Sequence, residues 1–131
     1  MAQRTSSSQS IHDNVIESAA RQIANQGKLK VYSNPGSLKN AGINGLYPDL
    51  ILTPLGSNSV SFVIEIETTD SVTMNESSQW KEYLALGGIF YLLVPAESLQ
   101  AAKTICIRQS IAAKFGTYSI AANGSISIHY E

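Results

Sequence analysis

The chain has 131 residues, of which 44% are apolar and 15% charged, the composition of one globular domain and not of a disordered or fibrous segment. Nine Lys plus Arg against ten Asp plus Glu leave a net charge of −1, which excludes a global basic field; any contact with nucleic acid must come from a local patch, bridging metal ions or a partner subunit. The single cysteine, Cys106, excludes an internal disulfide framework and a multi-cysteine zinc site. With no leader-like opening and no apolar run near the ~20 residues of a membrane helix, the expectation is a cytoplasmic protein that does not span a bilayer.

Residues 1–9 are polar and Ser-rich, with nothing to bury, and are expected to form a mobile tail ahead of one domain over residues 10–131. Ser10 and Asp13 suggest a capping box, after which Ile11, Val15, Ile16, Ala19, Ala20 and Ile23 recur at helical spacing until Gly27. Residues 28–33 read as a first strand. Pro35, Gly36, Gly42 and Gly45 then mark residues 34–46 as a long loop, a kind of segment that often serves function.

Residues 47–53 and 60–68 read as two strands joined by a turn over 55–59, a hairpin. Thr73 and Glu76 suit a capping box for a second helix, which carries Trp80 and Leu84 inward and stops at Gly87-Gly88. The continuously apolar stretch 89–94 is expected to be a central strand buried on both faces, with helices above and below. A third helix is expected over 96–114. Strands 117–121 and 125–129 flank Asn123-Gly124, a strong hairpin signal. The order implies an α/β fold: a single-domain mixed β-sheet flanked by helices.

A hairpin turning at Ser57 places Asp49 directly opposite Glu65, and directly opposed residues share a face with Cβ atoms about 5 Å apart. Glu67 points to the same face, because strand side chains alternate. Three carboxylates so placed repel one another unless a cation or solvent compensates, and such hard oxygen ligands suit Mg²⁺ or Mn²⁺. The same pattern, with Phe62, Ile64 and Ile66 on the opposite face, also describes any half-exposed strand.

Tyr47-Pro48-Asp49-Leu50-Ile51-Leu52 followed by Glu65-Ile66-Glu67 resembles the PD-(D/E)xK, restriction-endonuclease-like superfamily of metal-dependent nucleases. Gln79-Trp80-Lys81-Glu82-Tyr83 is similar to the Gln-x-x-x-Tyr motif of its recombination-exonuclease branch. The resemblance covers about residues 10–95 and implies a restriction-endonuclease-like domain that hydrolyses phosphodiester bonds of DNA. It also implies that Asp49, Glu65 and the backbone carbonyl of Ile66 hold Mg²⁺ or Mn²⁺, which activates a water and stabilises the leaving oxygen.

The position the family gives to lysine is held by Glu67. That residue is then an extra metal ligand, a base, or the mark of a site that has lost catalysis. Lys81 or Lys30 are the candidate substitutes, but helical geometry puts Lys81 on the flank opposite Gln79 and Tyr83, which are expected to face the site and position the strand or the water. Glu17 matches the family's first-helix glutamate, although ion pairs with its neighbours on a solvated helix face explain it equally. His12 reads as a packed or capping histidine, His129 lies in a terminal strand without partners, and Cys106 fits a buried helix face.

No Gly-x-Ser-x-Gly elbow occurs, and Gly42-Ile43-Asn44-Gly45 lacks the residues of a phosphate-binding loop. A domain this small and neutral grips DNA poorly alone, so a homodimer or larger complex is expected. The alternative is a nuclease-fold module without catalysis, acting as an accessory DNA- or protein-binding subunit.

Overall fold

The computed structural model describes residues 4–36 and 38–131. Its elements are α1 (Ser6–Asn25), β1 (Leu29–Ser33), β2 (Leu50–Pro54), β3 (Phe62–Ile66), α2 (Ser77–Leu84), β4 (Ile89–Pro95), α3 (Leu99–Gln109), β5 (Lys114–Ile120) and β6 (Ile126–Tyr130). The fold is α/β, one small domain. Its six strands lie side by side in chain order, antiparallel except for the β3–β4 and β4–β5 pairs, which are parallel. Parallel neighbours need crossovers, and α2 and α3 supply them.

Helices cover both faces of the sheet. Val15, Ile16, Ala19 and Ile23 of α1 pack on Leu50, Leu52, Ile64, Ile66 and Leu93. On the other side Trp80, Tyr83, Ala102, Ile105 and Cys106 pack on Val63, Phe90, Leu92 and Val94. Strand β4 therefore contributes to both cores, which is why its sequence is continuously apolar. No helix among the described residues is long and apolar enough to cross a membrane.

Several boundaries differ from the sequence expectation. Helix α1 starts at Ser6, inside the stretch expected to be a tail, with Thr5 as its N-cap: the Thr5 side chain accepts the Ser8 N–H at 3.1 Å. The first three residues of that stretch lie outside the described residues. Helix α2 starts at Ser77, one turn later than a Thr73 cap implies, after a 3-10 turn at Thr69–Ser71.

Helix α3 ends at Gln109 because Ser110 takes a left-handed conformation, φ 57°, and Ile111 N–H bonds back to the Cys106 carbonyl at 2.8 Å. Lys114, expected to end this helix, instead opens β5, where residues 114–116 pair with Tyr91, Leu92 and Leu93. The glycine stop before β4 has a steric reason: Gly88 has φ +73°, and a Cβ there would stand 2.8 Å from the Ser61 carbonyl oxygen.

The hairpin register agrees with a turn at Ser57, since Leu50 faces Ile64, Ile51 faces Val63 and Leu52 faces Phe62. Both strands are shorter than expected. Asp49 consequently sits just ahead of β2, opposite Glu65 near the end of β3.

Candidate functional site

Asp49 is fixed from both sides of the chain. The buried Asn34 side chain donates to the Pro48 carbonyl at 2.7 Å and to the Ala41 carbonyl at 2.8 Å, and the Asn34 N–H donates to the Asp49 carbonyl at 3.0 Å. The acids then exchange bonds across the strand pair. Asp49 N–H donates to Glu65 Oε1 at 3.1 Å, while Ile66 N–H donates to Asp49 Oδ2 at 2.7 Å. Both carboxylates are buried, with 7% of Asp49 and 6% of Glu65 exposed.

Burial raises the Glu65 pKa well above the ordinary range, helped by the charges of Asp49 and Glu67 beside it.

His12 lies against this pair. Its Nε2 is 3.0 Å from Asp49 Oδ2 and its Nδ1 is 3.0 Å from Asp13 Oδ1. Burial acts to lower the His12 pKa, but the hydrogen bond to Asp49 and the charge of Asp49 outweigh it, and the net shift is upward. Only the imidazolium can donate to both carboxylates. Asp13 also accepts the Gly36 N–H at 2.9 Å, which ties the long loop to α1; Gly36 sits at φ +60°, where glycine avoids the strain of a side chain.

A cleft of about 280 Å³ opens on these groups, bordered by Asp49, Glu65, His12 and Arg4, by Gln79 and Tyr83 of α2, and by Lys39 of the loop. Gln79 Nε2 donates to the Tyr83 hydroxyl at 2.9 Å. Burial raises the Tyr83 pKa, and the charges of Glu65 and Asp49 add to it, so the hydroxyl keeps its proton through the neutral range. Lys81 lies away from the cleft, exposed, with Nζ 3.2 Å from Gln109 Oε1. Lys30 is also remote, 5.2 Å above the Tyr32 ring.

Family models, curated proteins and solved structures offer no match to this chain.

Three residues expected at the site are placed otherwise. Glu67 is fully buried and does not border the cleft. Its Oε1 accepts from Arg4 Nη2 at 2.9 Å and from Ser71 Oγ at 2.6 Å, and its Oε2 accepts from Trp80 Nε1 at 2.7 Å. Burial lifts its pKa to about 7, against the pull of the Ser71 and Trp80 bonds and the Arg4 charge. With its oxygens so engaged, Glu67 is neither an open ligand nor a free base. Glu17 is exposed on α1, outside the cleft, so the solvated-face reading describes it.

The Ile66 carbonyl, expected as a ligand, faces Arg4 Nη2 at 3.2 Å. Among the described residues no three His, Cys, Asp or Glu side chains form a ready-made metal cage. Asp49 and Glu65 nevertheless fit a hard divalent ion by donor chemistry, because two crowded, buried carboxyl groups offer hard oxygen ligands whose mutual repulsion a cation relieves.

Arg4, His12 and Asp13 were not legible as site residues. A histidine in the middle of an apolar helix face was the available signal, since a buried imidazole must find a polar partner. His129 is exposed on β6, and Cys106 is buried, with its thiol pushed up to about 11 by burial.

Proposed function

We propose that this chain is a metal-dependent nuclease of the PD-(D/E)xK, restriction-endonuclease-like kind, which hydrolyses phosphodiester bonds of DNA with Mg²⁺ or Mn²⁺ held by Asp49 and Glu65. One observation carries the reading: the two acids meet across β2 and β3 at the floor of a cleft whose α2 wall presents Gln79 and Tyr83. A divalent ion bound there supplies an activated water and offsets charge on the leaving oxygen.

The chain's own groups do the rest. Glu65, buried opposite Asp49, would supply a carboxylate oxygen to the ion. His12 holds the Asp49 carboxylate in place through its Nε2 bond. The Tyr83 hydroxyl donates to a phosphate oxygen, oriented by the Gln79 amide. Action as a homodimer or within a larger complex belongs to the same reading, because one small domain of net charge −1 has little hold on DNA alone.

The test is cleavage of duplex, single-stranded and branched DNA in Mn²⁺ and in chelator, by the wild-type protein and by Glu65→Gln. Cleavage that needs the metal and is lost in the variant is expected. A second reading, a module of the same fold without catalysis, draws on the engagement of Glu67 and of the Ile66 carbonyl by Arg4. Metal-dependent DNA binding with no cleavage of any substrate would favour it.

A further inference from the structure

Arg4 precedes α1, yet its side chain reaches the end of β3 and is only 7% exposed. One edge of the guanidinium is fully engaged: Nε donates to Thr68 Oγ1 at 3.1 Å, and Nη2 faces the Ile66 carbonyl at 3.2 Å, Glu67 Oε1 at 2.9 Å and Ser71 Oγ at 3.4 Å. No hydrogen bond from Nη1 is formed among the described residues. Arg4 also borders the cleft that Asp49 and Glu65 line, and its charge is felt by His12, the partner of Asp49.

A buried arginine–glutamate pair gives little net stability over an apolar replacement, so stability alone does not account for it. What it does provide is a cation fixed at the border of the cleft that holds Asp49 and Glu65, with one amino group still able to donate.

We propose that Arg4 binds the phosphate of the substrate through Nη1, and that Glu67 is the residue that positions it. The assignment rests on the nuclease reading, and it gives Glu67 a role that needs no lone pair free for a metal. Among the described residues the side-chain cations bordering the cleft, apart from His12, are Arg4 and Lys39. Lys39 is exposed on the loop and packs 5.4 Å over the Tyr47 ring, whereas Arg4 is held rigidly by four acceptors. A planar guanidinium held at one edge presents the other to a phosphate oxygen in a fixed direction, which a lysine ammonium cannot reproduce.

The experiment measures binding of a fluorescein-labelled duplex by anisotropy across a salt series, with Ca²⁺ in place of Mn²⁺, for the wild type, Arg4→Lys and Arg4→Gln. Thermal melting is recorded in parallel. Lysine keeps a positive charge beside Glu67, so Arg4→Lys is expected to melt close to the wild type and yet bind the duplex about tenfold more weakly. Arg4→Gln is expected to bind more weakly still, with the slope of log affinity against log salt shallower by about 0.9, the signature of one lost phosphate contact.

If Arg4→Gln fails to fold, Arg4→Lys alone decides. Folded variants that bind with wild-type affinity and salt slope would overturn the role of Arg4 and leave the nuclease reading standing. A wild-type protein with no affinity for the duplex, nor for single-stranded or branched DNA labelled in the same way, would overturn both.

Discussion

Glu65 near the end of β3 and Glu67 just past it stand two residues apart, both buried and both with carboxyls raised above the ordinary range, yet they differ in what surrounds them. Glu67 receives hydrogen bonds from Arg4, Ser71 and Trp80. Glu65 receives the Asp49 N–H and otherwise faces another carboxyl. The difference teaches that an acidic cluster read along a strand is not yet a ligand set. Donors decide which acid is part of the frame and which is left in need of a cation.

The strongest way to break this contrast is to truncate each acid. Glu67→Ala leaves the Arg4 guanidinium and the Trp80 N–H buried without their acceptor, and is expected to cost about 3–5 kcal/mol in urea unfolding. Glu65→Ala removes a crowded carboxyl and is expected to change stability by no more than about 1 kcal/mol. Equal costs for the two variants would erase the distinction.

The pH dependence sharpens the same point with a smaller effect. A Glu67 carboxyl at about 7 in the folded chain, against 4.5 ordinarily, binds more protons in the native state than in the unfolded one. Its stabilising contribution is therefore present in full below about pH 4.5 and is lost as pH rises to about 7, by roughly 3 kcal/mol. Glu65 acts in the same direction, and so does His12 above 6.5, its pKa being raised. Urea midpoints are expected to fall between about pH 5 and about pH 8. A midpoint that rises over that interval would contradict the burial argument.

The smallest effect is expected at Glu17, which the cleft does not include. Glu17→Ala is expected to shift stability by no more than about 0.5 kcal/mol and to leave Mn²⁺ affinity unchanged, as calorimetry of the variant checks.

Local patterns were legible and long-range polar contacts were not. The register that sets Asp49 against Glu65 follows from a turn position and a period of two, and the facing of Gln79 and Tyr83 follows from helical spacing; both need only neighbouring residues. The start of α1 escaped notice because its first turn is Ser-rich and is fixed by Thr5 and by Arg4, whose partners lie more than sixty residues away. The end of α3 was misplaced because Ile111, Ala112 and Ala113 continue the apolar pattern, and nothing local announces a left-handed serine at 110. His12 was seen as buried, but its partner Asp49 is thirty-seven residues distant.

The account turns on whether the Asp49–Glu65 pair takes up a cation. Calorimetric titration of Mn²⁺ into the wild-type protein and Glu65→Ala, in two buffers of different ionisation enthalpy near pH 7, measures affinity and proton release together. The account predicts binding by the wild type with release of protons, and none by the variant. Equal binding by the two proteins, or binding by neither, would contradict it.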